Sequence, residues 1–187
     1  MIKLYFEKIS NLNQADYTRG YNLLDCALKE KISAIKNEKK SRQSLLGYIL
    51  LYKGAKELYN KTNFKIEFSE HGKPFCDFCH FNISHSGDIA VCAFCDRPIG
   101  VDIQKATAVK RRTKYRLFTK EEAFYVNQSE EKFIDRFFEI FTKKEAALKL
   151  YGLDISSAKN IDTFSGIFDF KTDKYGDYYI SYCTLRE

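Results

Sequence analysis

Gly100-Val101-Asp102-Ile103-Gln104-Lys105 and, further along the chain, Phe141-Thr142-Lys143-Lys144-Glu145-Ala146-Ala147-Leu148-Lys149 are the segments on which the fold turns. The first follows Ile99 and alternates apolar with polar residues. That pattern predicts a strand over Ile99 to Gln104, with Asp102 on the face opposite Val101 and Ile103. The second has helical period and places Glu145 and Lys149 at i, i+4, on one face. Phe137, Phe138, Phe141, Ala146, Leu148 and Leu150 cover most of that helix, so its polar residues occupy a narrow stripe. A buried strand and a largely buried helix, each carrying a carboxylate, fit an α+β pattern.

Outward from this pair, the order of elements repeats. Residues 2–7 read as a first strand. From Asn13 a helical pattern with a break reaches about Lys36, and a second helix covers about 38–60. Phe64 to Phe68 alternates as a strand. Residues 80–85 and 89–95 form a hairpin with Ser86-Gly87-Asp88 at its turn. In the second half the basic residues 108–117 look helical. Thr119-Lys120-Glu121-Glu122 is a capping box, and Ser129 is placed to cap the long helix that Gly152 ends. Strands at about 161–171 and 177–185 finish the chain. Strand, helices and strands thus occur twice, in halves joined near residues 97–106.

The chain has 187 residues, 44% of them hydrophobic, with 16 Phe and 13 Tyr, so it buries a real core and is not disordered. It has no apolar run long enough to span a membrane and no signal-like N-terminus, which predicts a cytoplasmic protein. The net charge of +6 points to acidic partners: nucleic acid, an acidic protein or a polyphosphate. Lys29, Lys31, Lys36, Lys39, Lys40 and Arg42 form one basic stretch, and Lys110, Arg111, Arg112, Lys114 and Arg116 another. On spacing alone each is equally a solvated helix face.

Ionised carboxylates avoid the interior unless paired, so Asp102 at the end of a buried strand reads as functional, a salt bridge or loop cap being the structural alternative. For Glu145 and Lys149 the alternative is an exposed ion pair worth about 0.3–0.5 kcal/mol, with Lys144 as a competing surface partner for Glu145. Two carboxylates and a lysine are also what a magnesium-bound pyrophosphate requires, hard oxygen ligands for the metal and a cation for the remaining charge. Asn82-Ile83-Ser84-His85-Ser86-Gly87 feeds a small-residue turn that lets backbone approach phosphate. Gly72-Lys73-Pro74 is a pinned turn that directs Lys73 outward. Cys76-Asp77-Phe78-Cys79 and Cys92-Ala93-Phe94-Cys95 have the spacing of a zinc ribbon, although Cys92 in an apolar strand also reads as a small hydrophobe. No arrangement suggests a cysteine nucleophile or a thioredoxin centre.

Gly72-Lys73-Pro74, Phe81 to Gly87, Pro98 to Ile103 and Lys144-Glu145-Ala146-Ala147-Leu148-Lys149, in this order, resemble the motifs of the 4′-phosphopantetheinyl transferases of the surfactin-synthetase type. The resemblance covers about Lys29 to Phe164. It implies a pseudo-twofold α+β fold of two similar halves, residues 1–98 contributing to coenzyme A binding and residues 99–187 to the metal site and carrier docking. The implied reaction moves 4′-phosphopantetheine from coenzyme A to a serine of an acyl, peptidyl or aryl carrier protein and releases adenosine 3′,5′-bisphosphate. It further implies Mg²⁺ held by Asp102, Gln104 and Glu145, Glu145 helping to remove the serine proton, and Lys149 stabilising the phosphate under attack. Lys73, Ser84 and His85 are implied to hold the nucleotide and its phosphates, with Lys31 and Ser44 as further coenzyme positions. The implied partner is an acidic carrier, not nucleic acid or a membrane, and the implied state a monomer. Gln104 departs from the family pattern, which has an acid there. The competing reading is a basic, zinc-ribbon-like module that binds nucleic acid; it leaves Asp102, Glu145 and the Gly-Lys-Pro turn unexplained.

Overall fold

In a computed structural model that describes residues 1–109 and 114–187, the first half runs β1 (Lys3–Lys8), α1 (Gln14–Leu23), α2 (Cys26–Ser33), α3 (Glu38–Tyr59), β2 (Glu67–Phe68), β3 (Pro74–Phe75), β4 (His80–Ser86) and β5 (Ile89–Cys95). The break after Leu23 has a local cause. Asn13 caps α1 by accepting from the Asp16 amide, and Asp25 caps α2 by accepting from Leu28, so each helix carries its own start signal. Asn37 does the same for α3. The strand expected from Phe64 shrinks to two residues. Its partner β3 is equally short, and Phe64 packs its ring against Tyr52 and Phe78 instead. The β4–β5 hairpin turns at Gly87, whose φ of 57° favours glycine.

The second half runs β6 (Gly100–Lys105), α4 (Lys114–Leu117), α5 (Lys120–Asn127), α6 (Phe133–Tyr151), β7 (Phe168–Tyr175) and β8 (Tyr178–Leu185). The helix expected over 108–117 is described only as α4. Residues 108 and 109 are not helical, and Lys110, Arg111 and Arg112 lie outside the described residues. The capping box at Thr119 and Glu122 is present. Ser129 does not cap α6: its hydroxyl accepts from the Lys132 amide and closes a turn ahead of the helix, which begins at Phe133. Gly152 ends α6 with φ 72°, and the Leu153 amide reaches back to the Leu148 carbonyl. β7 starts later than its sequence pattern, because Asp162 organises a turn over residues 162–165 ahead of it.

Both halves place a strand, a long helix and a hairpin in the same order, and the antiparallel sheets are wired alike, β1-β5-β4 and β6-β8-β7. Leu45, Leu46, Leu50 and Leu51 of α3 pack on Phe81, Cys92 and Phe94 of the first sheet. The other face of that sheet meets Val101, Ile103, Ile180 and Tyr182 of the second. Asp102 therefore points away from this apolar layer, toward α6, as the alternation required.

The sheets join where β4 runs beside β6, and side chains make the join. Asn82 Oδ1 accepts from the Val101 amide at 2.9 Å, Ser84 Oγ from Ile103 at 3.2 Å and Ser86 Oγ from Lys105 at 3.0 Å. The two-residue period of Asn82, Ser84 and Ser86 matches that of the amides they serve.

Behind β6, α6 comes close enough that a Cβ at Gly100 would lie 1.9 Å from the Ala146 carbonyl oxygen and 2.8 Å from the Leu150 nitrogen. Those are backbone atoms of a buried helix and have nowhere to move. Gly100→Ala is expected to lower stability by about 1–3 kcal/mol or more and to push α6 off β6. Urea denaturation reads the first effect, and faster amide hydrogen exchange in α6 the second. A variant of wild-type stability would show that this approach is looser than described.

Lys144 is fully buried, and so is Glu122 of α5, which it meets at 2.8 Å. The ammonium also donates to the Ala158 carbonyl at 2.8 Å and to that of Ile161. Glu122 in turn accepts from the Thr119 amide and from the amide and hydroxyl of Thr163. Lys144 is therefore not a surface partner for Glu145; it pins α6 to α5 and to the turn after it.

Candidate active site

Side chains from three distant parts of the chain meet where β4, β6 and α6 converge. Lys149 Nζ lies 2.6 Å from Asp102 Oδ1 and 2.6 Å from Ser84 Oγ, and Ser84 Oγ donates to Asp102 Oδ1 at 2.8 Å. Gln104 Nε2 donates to the other Asp102 oxygen at 3.0 Å, and Ser86 Oγ approaches Gln104 Oε1 at 3.4 Å. Asp102 is 1% exposed, a buried carboxylate compensated by an ammonium and two further donors. Glu145 lies one turn before Lys149 on the same helical face, and no hydrogen bond among the described residues engages its carboxylate. Burial, and then the charge of Asp102, push its pKa up to about 7, against the opposing pull of Lys149.

These groups line an open cleft of about 390 Å³ with Ser44, Tyr48, Pro74, Ile83 and His85. A second cleft of about 360 Å³ continues from it across Pro74, Ile83 and Lys149, and is lined by His71, Lys73, Asp154 and Ser157. His85 has solvent access but sits in the first concavity. Crowding by protein, and then Lys149, hold its imidazole below the usual range.

Asp102, Gln104, Glu145, Lys149, Ser84, His85 and Ser44 are thus brought to one cleft. Two other expectations change. Lys73 does not point outward: its ammonium turns in and donates to the Leu150 carbonyl at 2.7 Å, an acceptor left free at the end of α6, and burial lowers its pKa. Lys31 lines neither cleft. It is exposed on α2, with its ammonium 3.6 Å from the centre of the Phe68 ring. Tyr48 and Ile83 had not been singled out. Tyr48 follows Ser44 by one helical turn, which is the signal that shows it.

A divalent cation fits the donor set. Asp102, Glu145 and the amide oxygen of Gln104 are hard ligands, and a cation between the carboxylates would relieve the repulsion that raises Glu145. Gln104 presents its Nε2 to Asp102, so its oxygen becomes available once the amide turns over. A zinc ribbon does not form. In extended β5, Cys92 and Cys95 fall on opposite faces, and no group of three or more His, Cys, Asp or Glu among the described residues is placed to hold a metal.

A family model described as the 4′-phosphopantetheinyl transferase superfamily matches residues 98–186. The chain is 34% identical over 160 residues to the 4′-phosphopantetheinyl transferase gsp of Aneurinibacillus migulanus, covering 81% of this chain and 66% of that protein. It is 30% identical over 160 residues to the 4′-phosphopantetheinyl transferase Sfp of Bacillus subtilis strain 168, covering 82% and 70%. The ffp protein of Bacillus subtilis, another 4′-phosphopantetheinyl transferase, matches to the same extent. The chain spans about two thirds of the length of these curated relatives.

Proposed function

We propose a reaction from one premise: the chain belongs to the 4′-phosphopantetheinyl transferase superfamily. It transfers 4′-phosphopantetheine from coenzyme A to a serine hydroxyl of a carrier protein and releases adenosine 3′,5′-bisphosphate. The observation that carries this reading is the meeting of Asp102, Glu145, Lys149 and Ser84 on one cleft.

The serine oxygen attacks the phosphorus that bears the pantetheine arm, and the bond to the second phosphate breaks. Glu145 takes the serine proton. Its carboxylate lines the cleft and no hydrogen bond among the described residues engages it, which leaves it available to accept a proton. Lys149 leaves Asp102 for the phosphate under attack, where its charge opposes the developing negative charge. Ser84, which accepts from Lys149 and the Ile103 amide and donates to Asp102, turns its hydroxyl from Asp102 to phosphate. Lys73, His85 and Ser44 hold the nucleotide part. Asp102, Glu145 and Gln104 would hold Mg²⁺, which would supply positive charge against the pyrophosphate.

Residues 1–98 supply most coenzyme contacts, and residues 99–187 the metal ligands and carrier docking. The charge of +6 suits an acidic carrier, and two internal halves suit a monomer. No helix of the described residues is long and apolar enough to cross a membrane.

Incubation with coenzyme A, Mg²⁺ and a carrier protein should add one phosphopantetheine to the carrier, read by its mass. A panel of acyl, peptidyl and aryl carriers that all stay unmodified would overturn the reading. The raised Glu145 also sets a pH dependence. Below its pKa the carboxyl is protonated and is neither base nor ligand. The Mg²⁺ concentration giving half-maximal rate should therefore rise steeply as pH falls from about 8 to about 6. A metal requirement that is flat across that range would remove Glu145 from the coordination sphere.

A further inference from the structure

Cys76-Asp77-Phe78-Cys79 joins β3 to β4 and lies outside both clefts of the transferase site. The chain bends at Asp77-Phe78 and brings the two sulfurs to 3.5 Å, close enough for one thiol to donate to the other. The bend is held by the Phe78 ring, which packs edge-on against Phe64 and Tyr59. Both thiols are free and half-buried, and both open onto a cleft of about 370 Å³ lined also by Tyr59, His80, Cys95 and Asp96.

The two sulfurs are not equivalent. Cys76 also lines a neighbouring cleft with Lys61 and Lys65, so it is approachable from two sides. As a thiol Cys76 donates to the Cys79 carbonyl at 3.6 Å; once ionised it accepts from the Cys79 thiol and from the Phe78 and Cys79 amides, which draws it down to about 7. Cys79 is pushed up by the same hydrogen bond, by burial and by the Cys76 charge. The remaining nearby thiols differ. Cys92 is wholly buried in β5, and Cys95 lies on the opposite face of that strand and donates to Asp96 at 3.1 Å.

We propose that Cys76 and Cys79 form a redox-active dithiol that exchanges with low-molecular-weight disulfides, Cys76 as the attacking sulfur and Cys79 as the resolving one. The Cys76 thiolate attacks one sulfur of the small disulfide; its S–S bond breaks, one thiolate leaves, and a mixed disulfide forms. Cys79 then loses its proton and attacks Cys76 Sγ, and the second small thiolate leaves. Each released thiolate takes up a proton, from Cys79 or from solvent. The small disulfide is reduced to two thiols, and the protein dithiol is oxidised to a disulfide. This site stands apart from the transferase reading and does not depend on it.

The test treats the reduced, metal-free protein with oxidised glutathione and maps the products by mass spectrometry. Wild type should lose two hydrogens, with a Cys76–Cys79 crosslink in the peptide map. Cys79→Ser should instead accumulate one glutathione on Cys76. Cys76→Ser should leave Cys79 unmodified, and Cys26, exposed on α2, serves as the unassisted reference thiol in all three proteins. Crosslinking should accelerate as pH rises through about 7. The proposal is overturned if folded wild type keeps both thiols open to alkylation after treatment. It is equally overturned if glutathione appears only on Cys26 in Cys79→Ser. Glutathione on Cys79 in Cys76→Ser would refute the assignment of the attacking sulfur.

Discussion

Asp102→Asn should cut phosphopantetheine transfer by about a hundredfold or more while the protein still folds. The substitution keeps shape and removes charge. Asp102 now balances Lys149 at 2.6 Å and accepts from Ser84 and Gln104. An amide retains an acceptor for Ser84, and Gln104 turns over to meet the new donor. What disappears is the negative charge that would hold a cation opposite Glu145. The loss also acts on Glu145, because the Asp102 charge is one of the causes of its raised pKa. That pKa should fall in the variant, and a carboxyl-sensitive NMR titration would follow it independently of turnover. Single-turnover measurements at saturating coenzyme A and Mg²⁺ give the rate itself. Turnover near wild type would remove Asp102 from the metal site.

Lys144→Met should destabilise the protein by about 3–5 kcal/mol, the usual consequence of leaving one member of a buried ion pair without its partner. Glu122 would keep its three donors from Thr119 and Thr163 and lose its counter-charge, with no water to replace it. The Ala158 and Ile161 carbonyls would lose a donor as well. Denaturant unfolding measures the change. Adding Glu122→Gln should recover a good part of it, since the buried charge is then gone. A loss below about 1 kcal/mol for Lys144→Met would mean that the pair is hydrated, in conflict with its burial.

The sequence made some of this plain and hid the rest for physical reasons. α3 was readable almost to the residue because a long helix with one apolar side repeats its signal many times. The direction of Asp102 was readable because strand alternation depends only on neighbours. Lys144 was not. Whether a lysine beside Glu145 faces solvent or core depends on Glu122 and on two carbonyls well separated from it in sequence. Nothing in the local pattern separates a buried lysine from an exposed one. Lys73 was misread for the same reason, its acceptor being the far end of α6. Ser129 illustrates a different limit: a serine that accepts an amide three residues on caps a turn as readily as a helix. Of the site, the residues within Asn82 to His85, Gly100 to Gln104 and Lys144 to Lys149 were identified as candidates. Their meeting was implied only by the family resemblance and not by any local pattern, because β4, β6 and α6 become neighbours only when the two sheets dock.

The seam between β4 and β6 has a consequence for how freely the two halves can change over evolutionary time. Its acceptors are the side chains of Asn82, Ser84 and Ser86, while its donors are main-chain amides. Any residue except proline supplies an amide. The burden of matching is therefore one-sided. The first half must inherit a particular polar triplet at alternate positions. At Val101, Ile103 and Lys105 the second half need only avoid proline to preserve the seam. Drift in β6 is limited by what lies on either side of it, the apolar layer, Gly100 beneath α6 and the Asp102 charge, and not by its bond to the other half.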